Sequence, residues 1–339
     1  MPGRSGKNRQ PTIYAVAERA GVSIATVSRV LGGSSRTSER SRSVVLAAAS
    51  DLGWEPASAA RSLAARTYQA HGLLLGGLSG PYYADILIGY EAAAARYGQS
   101  LVVTVADGTD QGIAVRRLAA RTDGIAVLAS AVADEVLVEL TRTHPVVVLG
   151  GAAPAGCDAV VTESTGAAAE LTTHLLGHGR RALRFVGDPA GSFDGARRHE
   201  GFRQAVRVAG LRPAAPLRTG TMTEQDGRAV ADRVARSSAP IDALVCANDE
   251  LALAVVRRLE TLGVRVPDDV AVVGWDDVTA ARYLRPGLTT VRQPVFELGE
   301  LGCTVLHDRI GGAPVAPDPR ELPTTLVIRG SCGCREPPW

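Results

Sequence analysis

Lysine is almost missing from this 339-residue chain: Lys7 is the sole example. That absence excludes a P-loop, whose lysine holds phosphate, and any Schiff-base lysine in the interior. Long apolar runs are missing too. Gly72–Leu78 and Pro145–Leu149 are among the longest, far short of the roughly 20 residues that cross a bilayer. Arg4, Lys7 and Arg9 are followed by no apolar core of the secretory kind, so a cytoplasmic protein is expected. Five cysteines, Cys157, Cys246, Cys303, Cys332 and Cys334, form an odd set without a C-x-x-C pair, and neither a disulfide framework nor a zinc site is expected. His174 and His178 have a spacing that can hold a metal, but no third ligand is suggested, and Cys332-Gly333-Cys334 reads as a terminal pair without partners. Gly77-Leu78-Ser79-Gly80 falls short of a nucleophile elbow, and no G-x-G-x-x-G follows a strand. No catalytic site, metal or cofactor is expected, and the chain does not read as an enzyme.

What is present is divided unevenly. Residues 1–68 carry ten basic side chains against four acidic ones, a net +6, while the remainder has 27 basic and 31 acidic groups, a net −4. One end suits a polyanion and the rest repels it. The early segment shows apolar residues at helical spacing and no strand pattern. From about Ala70, β-rich runs alternate with alanine-rich stretches. Gly72–Leu78, Leu101–Val105, Gly124–Leu128, Val146–Leu149, Leu183–Val186, Ala243–Cys246 and Val270–Val273 read as strands of parallel sheets covered by helices on both faces. The fold class is α/β, with an all-α headpiece. Four segments follow: a disordered basic tail over 1–11, a helical segment over 12–56, a linker over 57–68, and an α/β region over 69–339.

In the headpiece Ile13, Val16, Ala17 and Ala20 line one face of a first helix. Gly21 supplies the positive φ of a tight turn, and Ser23 caps a second helix. On that helix Val27, Val30 and Leu31 form the buried stripe, leaving Ile24, Ala25, Ser28 and Arg29 outward, with Thr26 beside them. An exposed isoleucine is unfavourable in water but suits a thymine methyl, and Arg29 can fork onto guanine. Any amphipathic helix pair could yield such a pattern, yet spacing and charge argue against chance. The runs TIYAVAERAGVSIATVSRVLGG (Thr12–Gly33) and LGWEPASAARSLAAR (Leu52–Arg66) resemble the headpiece and hinge of the LacI/GalR family. The resemblance implies a sequence-specific DNA-binding regulator in which Ile24, Ala25 and Arg29 face base edges, while Thr12, Ser23 and Ser28 hold phosphates or cap the helix. Ala15 stands where the family has an acidic residue, and Gly33 where Asn-Gly is customary.

The hinge, Ala57–Ala65, is too short to be a stable helix alone. Its small face, Ala59 and Ala60, would let two copies approach. The resemblance implies that Leu63 wedges into the minor groove at the centre of a palindromic operator, with Arg61 among the DNA contacts; an ordinary linker leucine is the duller reading. Ala57 replaces a common asparagine, which leaves Ser58 as the candidate cap.

The remainder resembles the family's periplasmic-binding-protein-like sensor over roughly Gln69 to Arg335, most specifically in Leu244–Asp277, then in Pro286–Gly302, Arg197–Ala205 and Leu322–Gly333. Such lobes clamp a ligand at the carboxyl ends of their strands. Arg198, Asn248 with Asp249, and Asp276 with Asp277 offer groups that a neutral polyol satisfies, and Trp275, Tyr82 and Tyr83 could cover the C–H face of a sugar. The acidic and amide residues could equally be helix caps, and the tyrosines core or surface residues. Two local departures, GLSGPYY at Gly77–Tyr83 and Glu163-Ser164, loosen the ligand's identity. The expectation is a homodimeric or tetrameric repressor released from its operator by a small carbohydrate. A purine-type co-repressor and, from another class, a solute-binding protein or sugar-modifying enzyme are the rivals.

Overall fold

Three short helices, α1 (Ile13–Ala20), α2 (Ile24–Leu31) and α3 (Glu39–Asp51), form where the sequence supplies caps and an apolar face together. The Thr12 hydroxyl accepts from the Ala15 amide at 3.4 Å, and Ser38 does the same for Ser41 at 3.3 Å, each satisfying one of the donors a helix start leaves open. Between α1 and α2 the chain turns at Gly21, whose φ of 65° lies in the left-handed region. Val16, Ala17, Ala20, Val27, Val30, Val45, Ala48 and Ala49 interlock as one small core, with Trp54 packed against it. An exposed Arg19–Asp51 pair at 3.0 Å ties α1 to α3, worth at most about 1 kcal/mol at that exposure.

These details come from a computed structural model, which describes residues 11–31, 37–54, 67–78, 81–106 and 110–335. The chain divides into two compact units, 1–69 and 70–339. The expected hinge, with Arg61 and Leu63, and the tail over 1–10 lie outside the described residues.

The larger unit alternates strand and helix: β1 (Ala70–Leu75), α4 (Pro81–Arg96), β2 (Ser100–Val105), α5 (Gln111–Ala119), β3 (Gly124–Leu128), α6 (Asp134–Leu140), β4 (Val146–Leu149) and β5 (Asp158–Thr162). With the late strand β10 (Arg320–Leu322) these give a six-stranded parallel sheet, ordered β10-β5-β4-β3-β1-β2. Alternation along its strands decides the two faces. Leu73, Leu75, Ala126, Val147 and Leu149 pack under α4 and α12 (Val295–Ile310), while Leu74, Ile125, Val127, Val146 and Val148 pack under α5 and α6. Helices α4 and α12 approach so closely at Gly89 and Gly299 that a Cβ at either would overlap backbone of the facing helix.

The second lobe holds α7 (Thr165–Gly177), β6 (Leu183–Val186), α8 (Phe193–Val208), α9 (Glu224–Ala235), β7 (Ala243–Cys246), α10 (Asp249–Thr261), β8 (Ala271–Val273) and α11 (Thr279–Tyr283). Its parallel sheet runs β6-β7-β8, beside an antiparallel pair made by β9 (Thr290–Arg292) and β11 (Thr325–Val327). A 3-10 turn, Gly330–Cys332, closes the lobe. The chain passes between lobes three times, after β5, after β9 and after β10, and the crossings are laced together. Thr162 donates to Gln293 at 2.6 Å, the Glu163 amide to the Leu322 carbonyl at 2.8 Å, and Thr324 to the Glu163 carbonyl at 3.1 Å.

Two strand expectations need correction. The first strand spans Ala70–Leu75, not Gly72–Leu78, because Gly76 and Gly77 leave the sheet. Strands β5, β9, β10 and β11 were not anticipated. The first opens on a buried carboxylate, Asp158, held by Arg309 at 2.8 Å, which breaks the apolar run, and the other three are only three residues each. Glu163, where the resemblance suggested a departure, accepts from the amides of Gly166 and Ala167 at 2.6 and 2.9 Å and so caps α7.

Candidate functional site

The outward face of α2 is the first candidate. Ser23 accepts from the Thr26 amide at 3.2 Å, and its oxygen lies 2.9 Å from the Thr26 hydroxyl. Burying Val27 and Val30 fixes the helix's rotation, which leaves Ala25, Ser28 and Arg29 exposed, Thr26 half-buried and Ile24 42% exposed. A large aliphatic side chain held in water on the same helix as an exposed guanidinium suits the edge of a base pair better than it suits solvent. Thr12 is exposed as well, with its hydroxyl on the end of α1.

The second candidate lies between the lobes of the larger unit: a cleft of about 640 Å³. Its first-lobe wall is Tyr82 and Tyr83 at the start of α4, facing Leu128, Ser130 and Gly150. The two tyrosine rings meet edge to face, 5.7 Å apart. Burial, then the carboxylates Asp194 and Asp276, push the Tyr82 hydroxyl far above its ordinary pKa, so it stays protonated and can donate. Burial and Glu250 act the same way on Tyr83.

The second-lobe wall carries the charge. Ser192 caps α8 by accepting from Gly195 at 3.1 Å, and one turn on, Arg198 projects into the wall with 8% exposure. Its Nη1 donates to the Ala247 carbonyl at 2.6 Å, its Nη2 lies 3.5 Å from Asp194, and its guanidinium carbon sits 4.5 Å above the Trp275 ring. A desolvated guanidinium over an indole is attracted by about 2 kcal/mol, so the arginine arrives pre-oriented.

Trp275 itself requires a correction: expected to cover a sugar ring, it is 1% exposed and does not line the cleft. Arg198 lies across its face, so the tryptophan positions the arginine from behind. Asn248 lines the cleft and is also the helix cap that its sequence position allowed, accepting from Leu251 at 3.0 Å while its amide donates to the Met222 carbonyl at 3.1 Å. Asp249 is fully buried and latched by Thr290 at 2.7 Å and the Val278 amide at 2.9 Å. Burial and neighbouring Asp276 hold its pKa well above the ordinary range. Asp277 is consumed by Arg292 at 2.7 Å and Arg329 at 2.5 Å.

Asp276 is different. Its backbone φ of 118° and that of Asp277, 60°, are in the region disfavoured for residues with a Cβ, a strain that concentrates where a side chain must be aimed. Burial raises its pKa to about 6, against the pull of Arg198 and of Gln293, which donates to it at 2.6 Å. Asp194 and Gln293 were not singled out in the sequence. The first sits four residues before Arg198 on the same helix, a spacing that could have revealed it; the second reaches the cleft from the second crossing, which no local pattern announces.

Residues 12–57 match the family described as bacterial regulatory proteins, lacI family, and residues 172–332 match a periplasmic binding protein-like domain. The HTH-type transcriptional regulator CelR of Thermobifida fusca is 32% identical over 96% of this chain and 99% of its own. The chain belongs to the LacI family. Another relative of this LacI-family chain, the HTH-type transcriptional repressor PurR of Serratia proteamaculans, is 30% identical over 88% of the chain and 90% of its own length. Among solved structures, a CelR–cellobiose complex aligns with TM-score 0.69 at 30% identity, covering 95% of this chain and 99% of that one. The lac repressor dimer bound to operator and an anti-inducer aligns with TM-score 0.84 at 26% identity, covering 96% and 99%. This LacI-family chain is a DNA-binding transcriptional regulator, and its relatives are regulators rather than enzymes. Among the described residues no helix is long and apolar enough to cross a membrane.

Proposed function

We propose that this chain is a homodimeric repressor that grips a palindromic operator and lets go when a small neutral carbohydrate enters the cleft between its lobes. In this reading the segment over 12–56 reads DNA, 57–68 couples and 69–339 senses and dimerises. Ile24, Ala25 and Arg29 read base edges, and Thr12, Ser23, Thr26 and Ser28 meet the backbone or hold the helix. Arg61 and Leu63 complete the DNA contacts. The protein works in the cytoplasm and turns over no substrate.

The observation that carries the ligand class is the charge balance at Arg198. Its one positive charge faces two carboxylates, Asp194 and Asp276, inside the same cleft. An anionic effector would meet uncompensated repulsion there, whereas sugar hydroxyls can accept from Arg198 and donate to both carboxylates. A cleft of about 640 Å³ is within the range of small-molecule sites and has room for a mono- or disaccharide. The CelR–cellobiose complex supports the same class of ligand.

The test is to select a palindrome from random DNA with the purified protein, then titrate a panel of neutral sugars into the complex. Release by at least one neutral sugar is expected, with sugar phosphates inactive. Release only by purines, or by anionic sugars, would replace the effector assignment and leave the DNA reading intact.

A further inference from the structure

Outside the lining of the cleft, two residue pairs separated by about half the chain come together. His174 occupies the last turn of α7, and His178 is the residue that ends that helix. Cys332 closes the final 3-10 turn, and Cys334 follows two residues later, after Gly333. His174 Nε2 lies 3.3 Å from Cys332 Sγ and 3.6 Å from Cys334 Sγ; His178 Nε2 lies 3.2 Å from Cys334 Sγ. All four donor atoms fall within 4.8 Å of one another. Neither pair alone resembled a site in the sequence, because H-x-x-x-H lacked a third ligand and C-x-C lacked partners.

The geometry is that of a tetrahedral cage. With bonds of about 2.0–2.3 Å to nitrogen and sulfur, the edges of a zinc tetrahedron run about 3.3–3.8 Å; the nitrogen–sulfur separations of 3.3 and 3.6 Å fall inside that range and the third, 3.2 Å, lies just below it. Local structure supports the convergence. Gly333, with φ of 108°, reverses the chain between the two cysteines, a conformation a Cβ would penalise, and the reversal turns both sulfurs toward the end of α7. Cys332 is fully buried, with the Thr289 hydroxyl 3.2 Å from its sulfur, a donor that a thiolate would welcome. The imidazole rings stand nearly perpendicular, 4.8 Å apart, each presenting Nε2 to the same point.

We propose that His174, His178, Cys332 and Cys334 form a tetrahedral binding site for zinc. Two thiolates and two imidazoles satisfy that ion's coordination with protein ligands alone, so the site is structural. It clips the end of the chain, after the third crossing, to the helix that follows the first. The site is independent of DNA reading and of effector identity.

The experiment uses the full-length protein, kept reduced, with its metal removed by chelation and then titrated with cobalt(II) and zinc(II). One cobalt per chain is expected, with the intense tetrahedral d–d bands and thiolate-to-metal charge transfer of a two-thiolate site, bleached by one equivalent of zinc. His178→Gln and Cys334→Ser, at partly or fully exposed positions, should each weaken zinc at least about 100-fold and abolish the charge-transfer band or halve it. Circular dichroism checks that both variants remain folded. Absence of binding, a six-coordinate cobalt spectrum, or parent-like zinc affinity in both folded variants would overturn the site and leave a thiol–imidazole hydrogen-bond cluster in its place.

Discussion

The two walls of the cleft are built on opposite principles. The first lobe offers aromatic rings and small residues around Tyr82 and Tyr83, with no ionised side chain among its lining residues, while the second gathers Arg198, Asp194, Asp276 and Glu250. The first wall is a continuation of a close-packed core under α4; Tyr82 and Tyr83 pack against the cluster that contains Ile86 and Tyr90. The second is a polar network whose members hold each other, Arg198 over Trp275 and Asp276 under Gln293. The difference teaches how such a sensor divides its work. Orientation and selectivity come from the charged wall, where an unmatched hydroxyl would leave a buried group unpaired, while the aromatic wall supplies surface that excludes water.

The largest expected effect therefore comes from breaking the charged wall at its centre. Arg198→Ala removes the guanidinium that Asp194 and Asp276 face, leaving two partly buried carboxylates without their cation, a change that costs about 3–5 kcal/mol when a buried pair is broken. Sugar-induced release should be lost, an effector affinity change beyond about 100-fold, whereas operator affinity without sugar should stay near parent. Fluorescence anisotropy on labelled operator measures both. Wild-type induction in the variant would remove Arg198 from the site.

A smaller effect follows from protons on the same wall. Because the pKa of Asp276 is raised to about 6, the folded protein holds a proton there that the unfolded chain gives up near its ordinary value. Its contribution to stability is present in full below the unfolded pKa and is lost as pH rises through about 6. A sugar hydroxyl that donates to Asp276 needs the ionised form, so binding should expel the proton. Effector affinity is then expected to fall about tenfold between about pH 8 and about pH 5, and Asp276→Asn should flatten that dependence. Isothermal titration in buffers of different ionisation enthalpy would count the released proton. An unchanged pH profile in Asp276→Asn would assign the titration elsewhere.

How much of this was legible beforehand follows the same division. Headpiece helices were readable because each buries its face through residues three and four apart, so Val16, Ala17, Ala20, Val27 and Val30 declare themselves within 15 residues. Parallel strands with continuous apolar runs were equally plain. Trp275 misled because it belongs to the core of the second lobe, with Arg198, which arrives on α8, lying across its ring. Gln293 stayed hidden because its value comes from bridging Thr162 and Asp276 at a crossing between lobes. The histidine and cysteine pairs were each visible, and what their spacing could not convey was that the fold brings the end of the chain back to α7. Patterns within a helix or strand are written in neighbouring residues; a cleft or a four-ligand cage is written in the topology.

Tyr82 is where the aromatic wall comes nearest to behaving like the charged one, since its hydroxyl stays protonated between Asp194 and Asp276. If that wall only excludes water, Tyr82→Phe should keep effector affinity within about twofold. If the hydroxyl donates to a bound sugar or to the carboxylate pair, the variant should lose about 1 kcal/mol, roughly five-fold in affinity, and Tyr83→Phe, whose neighbour is Glu250 rather than that pair, should lose less. We expect the second outcome, because a hydroxyl beside two carboxylates in a partly desolvated cleft is too good a donor to stand idle. Equal, near-parent affinities for both variants would restore the sharp division between the walls.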